Sequence, residues 1–397
     1  MRKGQPSAVQ VAFNFVLLIG VANLFADLTY EGARSINGQF LASLGASSLA
    51  VGFTAGAGEL LGYGLRSITG LISDRTRQYW LVTITGYAVN MAAVPALALT
   101  GNWPLAAALI MTERTGRALR KPSTEAMLAH AGQQIGQGWV FGLNEALDQA
   151  GATIGPLIMA LVLFARGGYR QGYAFLAIPA IVTIATILAA RRLFPRPSDL
   201  GAGHPVESQG LGRRYWYYLV AAGCVAAGFA DFALIGYHLQ KMSVISPSLI
   251  PVYYAVAMGA GAIGALALGR LYDINQARTV LGTFLAGAFF APLVFLGGPL
   301  IALGGMLLWG IGLAAQESLL RSLVAGIVDA SRRATAFGLF DTGFGMAWFA
   351  GSVAMGYLYG VSIHGLVIFS VLLQLISLPF FAFAGLRPGK DARTSKP

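Results

Sequence analysis

The stretch Gly70-Leu71-Ile72-Ser73-Asp74-Arg75-Thr76-Arg77 closes one long apolar run, and Gly269-Arg270-Leu271-Tyr272-Asp273 closes another half a chain later. Two further pairs keep the same order. Phe25-Ala26-Asp27 and Phe229-Ala230-Asp231 both fall late in an apolar run. Phe141-Gly142-Leu143-Asn144-Glu145 and Phe337-Gly338-Leu339-Phe340-Asp341 both open one. Each copy carries an acid. Three matches in one order argue for an internal duplication.

The composition fixes the medium. Of 397 residues, 56% are hydrophobic and 11% charged, whereas a globular domain is about one quarter charged. Mean hydropathy is +0.65. This excludes a soluble enzyme, a disordered chain and a nucleic-acid-binding module, despite 27 basic against 16 acidic residues. The apolar runs recur about every 33 residues, each close to one bilayer crossing,. Their centres fall near Leu18, Ala57, Val89, Leu109, Ile154, Ile181, Ala222, Met258, Ala288, Leu308, Ala347 and Leu372. That predicts an all-α polytopic membrane protein of twelve transmembrane helices. A strand reading fails because no ten-residue alternation appears.

Placing the N-terminus in the cytoplasm puts most Lys and Arg inside, leaving Arg34, Arg166, Arg170 and Lys241 outside,. Both termini are then cytoplasmic. The polar break from Arg191 to Arg214, with Pro195, Pro197 and Pro205, reads as a cytoplasmic linker. The expected division is 1–192, a linker 193–214, and 215–397. The N-terminus has no small-residue cleavage site and reads as a retained span. Cys224 stands alone, so no disulfide forms within the chain,. Phosphate-loop, zinc-protease, hydrolase-elbow and haem-attachment motifs are absent, so neither an enzyme nor a cofactor is expected.

Gly70 to Arg77 resembles the loop motif G-x-L-x-D-R-x-G-R of the major facilitator superfamily, with Arg77 where that family prefers Gly and Gln78 where it prefers a basic residue. Gly269 to Asp273 is a reduced copy. Gly142, Gly151, Gly155 and Pro156 match the spacing G-x8-G-x3-G-P of the family's antiporter motif, whose terminal Gly pair is replaced by Ala160-Leu161. Tyr30 to Arg34 and Gln316 to Arg321 look like a bacterial subgroup of unknown substrate. The resemblance implies two pseudo-symmetric six-helix halves in a bacterial inner membrane. It implies a monomer that moves a small-molecule substrate by alternating access, with protons and the lipid bilayer as its other partners and no nucleic acid. The match of the fifth span to the family's antiporter motif implies proton-coupled export. Uptake or exchange of a metabolite anion is the alternative, and an intramembrane enzyme or a sensor is the rival from another class. The resemblance also implies that Asp74, with Gly70, Arg75 and Arg77, latches the halves. Close packing is expected at Gly70, Gly151 and Gly155, and a bend at Pro156.

Ionisable groups inside the bilayer cost at least ~2.5 kcal/mol each, so those present need partners or a task. Glu59, Glu113 and Asp148 should lie near the midplane, and Asp27 and Asp231 in the outer half. Glu317, Arg321 and Asp341 should lie toward the cytoplasm. Helical phase puts Asp27, Glu31 and Arg34 on one face. It pairs Glu113 with Arg117, Glu317 with Arg321, and Glu145 with Asp148. Candidate proton carriers are Asp27, Glu59, Asp148 and Asp231, since alternating exposure would load a carboxyl on one side and release it on the other. Arg114 and Arg117, with Glu31, Arg34, Glu113, Glu145 and Asp341, are candidates for binding an anionic or zwitterionic solute. Tyr30, Tyr63, Tyr237 and Trp309 are candidates for stacking on it. The competing reading makes the Glu–Arg pairs static bridges and the aromatics lipid-facing.

Overall fold

The computed structural model describes residues 8–135, 137–195, 212–327 and 333–384. Both termini and most of the expected linker lie outside the described residues. Every described regular element is helical. In chain order these are α1 (Ala8–Ser43), α2 (Ser48–Thr76), α3 (Tyr79–Ala96), α4 (Trp103–Ile135) and α5 (Gln137–Phe164). Then come α6 (Tyr169–Phe175), α7 (Ala177–Leu193), α8 (Arg213–Gly228), α9 (Phe232–Lys241) and α10 (Ile250–Ile274). Last are α11 (Gln276–Gly287), α12 (Phe290–Leu296), α13 (Pro299–Ile327), α14 (Arg333–Val361) and α15 (Ile363–Phe383). Helices are the expected solution, because in hydrocarbon each backbone polar group must be satisfied within its own segment.

The passages α6/α7, α8/α9 and α11/α12 are each broken in two; counting each pair once, the described residues make twelve passages. Nine are long and apolar enough to cross a membrane. The other three, α2, α4 and α14, are as long, at 29, 33 and 29 residues. The first two carry mid-helix charges, among them Glu59 and Arg66 in α2 and Glu113, Arg114, Arg117 and Arg120 in α4.

The break between α8 and α9 shows how such an interruption is tolerated. Phe229 and Asp231 are extended. Asp231 caps α9 by accepting from the Ala233 N–H at 2.9 Å. The carbonyls freed by the break are also taken: the Ser370 hydroxyl donates to Gly228 O at 2.6 Å, and the Trp309 indole donates to Ala230 O at 2.9 Å. These groups at the gap are thus satisfied by protein, as lipid requires.

The chain forms two compact units. The first comprises residues 1–45, 61–205 and 247–255. Within it α1 packs on α3, α4, α5 and α7. Phe15, Val16, Ile19, Trp80, Met91 and Ile187 fill its core. The second comprises 46–60, 206–246 and 256–397. There α8 packs on α14 and α15, and Phe229 stacks on Trp309 at 5.6 Å with Phe290 5.0 Å away. Lipid tails are as apolar as these side chains, so close packing rather than water exclusion holds the helices. Gly351 accordingly lies directly on the backbone of Ala227, and Gly310 on that of Ala257.

Candidate functional site

The first unit holds a buried polar cluster built on four helices. α1 brings Asn23, Asp27, Tyr30, Glu31 and Arg34, whose spacing keeps them on one face. α4 brings Glu113, Arg114, Arg117 and Arg120, α3 brings Tyr87 and Asn90, and α5 brings Asn144 and Asp148. Two glycines let the helix axes close in at the charges. A Cβ at Gly151 of α5 would sit 3.0 Å from the Cβ of Asp27, and one at Gly86 of α3 would sit 2.8 Å from that of Arg120. Thus Gly151 packs α5 on α1 beside an acid.

Arg120 is the hub. It is 5% exposed, and its Nη2 stands 3.7 Å from Asp27 Oδ1. Its Nη1 donates to Asn23 Oδ1 at 3.1 Å, and the guanidinium lies over the Tyr87 ring at 4.4 Å. The Tyr87 hydroxyl also donates to Asn23 Oδ1. From there an amide chain crosses to α5: Asn23 Nδ2 donates to Asn144 Oδ1 at 2.7 Å, and Asn144 Nδ2 to Asp148 Oδ2 at 3.2 Å. Asp27, Arg120, Asn144 and Asp148 line a cavity of about 30 Å³, enough for a water molecule or two. Asp148 Oδ1 and Arg120 Nε are buried and have no protein hydrogen-bond partner. Water is their natural partner there.

A second knot lies further along α1. Arg34 Nη1 and Arg117 Nη1 both approach Glu31 Oε1 at 3.8 Å. Arg117 lies over the Tyr30 ring at 4.3 Å. Glu31 also accepts from the hydroxyl of Tyr254, carried by the 247–255 segment of the same unit. Glu113 is held by Arg114 at 3.5 Å and by Asn90 Nδ2 at 2.8 Å. This corrects the expected pairing of Glu113 with Arg117: the latter turns to α1, where Tyr30 and Glu31 offer a ring face and a carboxylate.

Other expected site residues stand elsewhere. Glu59 is buried in the part of α2 assigned to the second unit. Tyr63 is half-buried under Arg66, 4.7 Å from its ring. Glu145 is exposed and accepts from Gln149 at 3.0 Å, one face away from the cavity that Asp148 lines. Asp231 is the cap of α9. Tyr237 accepts from Lys241 Nζ at 3.2 Å. Trp309 is completely buried on Phe229 and is core rather than cavity wall. Asp341 is half-buried in α14, and Glu317 is exposed on α13. The side chains of Asp74, Asp273 and Arg321 lie outside the described ones.

Close packing at Gly70 is not seen. A Cβ there would lie 3.6 Å from Pro122, an ordinary contact, and one at Gly269 would meet nothing within 4 Å. Arg75 and Arg77 are exposed, and Arg77 has φ +55°, the left-handed conformation that favours glycine. Gly155 does pack tightly, on the backbone of Leu28 and Gly32. Pro156 lies inside α5.

Sequence reasoning missed Arg120, Asn23, Tyr87, Asn90, Asn144 and Tyr254. The charge pattern puts Arg120 among the cytoplasmic basic residues, whereas α4 continues to Ile135 and buries it. The signal was available in phase: Arg120 stands three residues after Arg117, Asn23 four before Asp27, and Asn144 four before Asp148.

The fold is that of a polytopic helical protein with paired charges buried inside a helix bundle, and the comparisons supply its class. The sequence profile of the Major Facilitator Superfamily matches residues 19–351. The chain belongs to that superfamily and is a secondary transporter. It is 38% identical to an uncharacterized protein of Mycobacterium tuberculosis over 375 residues, 92% of each chain. It is 24% identical over 379 residues to an uncharacterized MFS-type transporter of Methanocaldococcus jannaschii, covering 91% of this chain and 92% of that one. Its fold is similar to that of the nucleoside transporter NupG (TM-score 0.75, 10% identity, 94% of this chain and 100% of that one). It is also similar to that of a D-xylose-proton symporter (TM-score 0.68, 13% identity, 95% and 99%).

Proposed function

We propose that the chain couples proton movement to the export of a small organic solute, with Asp148 and Asp27 as the proton-handling pair and Arg120 as the partner of Asp27. The observation that carries this is the buried oxygen of Asp148, without a protein partner and open to a water-sized cavity that also reaches Asp27 and Arg120. Asp27 is paired with Arg120, and Asp148 opens to the same cavity, so a proton taken up by either carboxyl changes the charge at the cluster. A carboxyl that opens to a water-sized cavity inside the bundle is suited to load on one face of the membrane and release on the other. The export direction rests on the resemblance of the fifth span to the antiporter motif.

A second reading of the solute follows from Glu31. Two arginines converge on this one carboxylate, so an anionic solute has a place to compete for Arg34 and Arg117.

The test has two stages. Purified protein is screened by thermal shift at mildly acidic and neutral pH against sugars, amino acids, organic anions and cationic drugs. A ligand specific to the folded state stabilises by about 2.7 kcal/mol at a hundredfold excess over its Kd. The ligand so found is then followed in proteoliposomes. Asp148→Asn is expected to abolish gradient-driven transport and retain solute exchange. Undiminished accumulation by that variant under a proton gradient refutes the coupling assignment.

A further inference from the structure

The face that α3 and α7 present outward carries an open apolar groove of about 480 Å³. Its lining is wholly Ala, Met, Pro, Ile and Leu. The groove exists because Ala88 and Ala92 on α3 and Ala185 on α7, all exposed, stand beside the larger Ile181 and Leu188. It follows α7 from Ala177 to Leu188, about 17 Å at the helical rise,. One leaflet of a ~30 Å hydrocarbon core is ~15 Å deep, so the groove has the length of one acyl chain.

One turn beyond Leu188, three and four residues on and therefore on the same face, stand Arg191 and Arg192, both exposed. The Trp80 indole donates to Phe194 O at 2.9 Å. That bond pins the end of α7 beside the start of α3 and holds the two arginines at the groove's mouth.

We propose that this groove is a binding site for an anionic glycerophospholipid, with one acyl chain along α3 and α7 and the phosphate on Arg191 and Arg192. Charge selects this occupant over a second copy of the chain. Two copies paired about an axis along the membrane normal would bring Arg191 and Arg192 of each to the same depth, like charge against like. A phosphate at that depth complements them. The site is separate from the polar cluster and does not depend on the transport reading.

The experiment is lipid competition on the intact protein. Delipidated protein in detergent is given an equal mixture of dioleoyl phosphatidylglycerol and dioleoyl phosphatidylcholine, and retained lipid is counted by native mass spectrometry. The wild type is expected to retain the phosphatidylglycerol preferentially. Each arginine contributes about a fivefold preference, so Arg191→Gln with Arg192→Gln should reduce it by an order of magnitude or more, while Arg191→Lys with Arg192→Lys retains most of it. Filling the groove with Ala92→Phe and Ala185→Phe should lower retention of both lipids; these exposed positions leave the core intact, which size-exclusion elution verifies. Equal retention of the two lipids by the wild type overturns the proposal, as does a preference that survives the double Gln substitution. A disulfide-linked dimer through Ala185→Cys on a Cys224→Ala background would assign the groove to a second copy instead.

Discussion

Removing Arg120 strikes the centre of the polar cluster. The charge separation to Asp27 is 3.7 Å, which at an effective dielectric of about 20 is a gross attraction of about 4.5 kcal/mol. The charged hydrogen bond to Asn23 adds about 1.5–3 kcal/mol, and the contact with Tyr87 about 1 kcal/mol or more. Desolvation of both ions opposes these, at several kcal/mol per ion. The net worth of the pair is therefore small, but the cost of removing one partner is not. Arg120→Met leaves the Asp27 carboxylate buried at 7% exposure, and is expected to destabilise by about 3–5 kcal/mol. Asp27→Asn leaves an excess cation and should also be costly.

The double variant leaves neither charge unpaired. It should be more stable than the sum of the singles predicts, by about 2 kcal/mol or more. The assay is a double-mutant cycle on equilibrium unfolding in mixed detergent micelles, followed by helical circular dichroism. Additivity within about 0.5 kcal/mol would show that the two groups do not act as a pair, and the reading of the cluster would fall with it.

Two further outcomes follow from backbone geometry. Arg77→Gly relieves a left-handed residue, which costs about 1–2 kcal/mol outside glycine, against about 0.5–1 kcal/mol of added chain entropy; the same unfolding assay should show a gain of about 0.5–1 kcal/mol, and a loss would refute the strain argument. Gly155→Ala puts a methyl 2.9 Å from Gly32 N, with the Leu28 carbonyl nearer still, and should cost about 1–3 kcal/mol; Gly269→Ala, with nothing within 4 Å, should be neutral or stabilising.

Much of the candidate site was legible in phase. Asp27, Glu31 and Arg34 were placed on one helical face, and they do share one. Asp148 was one of four acids named as candidate proton carriers, and its Oδ1 is buried without a protein hydrogen-bond partner. The hub, Arg120, escaped because hydropathy ends a span where charges begin, while the helix itself runs on. The backbone roles of Trp309 and Asp231 escaped for a different reason. Each satisfies a backbone group at a helix break, and nothing in the local sequence announces the break.

The Phe-Ala-Asp repeat separates the two kinds of information. Both copies were recognised as equivalent, yet Phe25-Ala26-Asp27 runs on as continuous helix in α1, with Asp27 turned to Arg120. Phe229-Ala230-Asp231 opens a gap that Asp231, Trp309 and Ser370 close. By itself the sequence determined the medium, the helical class, the twelve passages and the family, because bilayer thickness and backbone hydrogen bonding leave few alternatives. Only the tertiary structure decided which charges meet. A helical face says where a side chain points, but its partner sits on another helix whose distance is set by glycines far away in sequence.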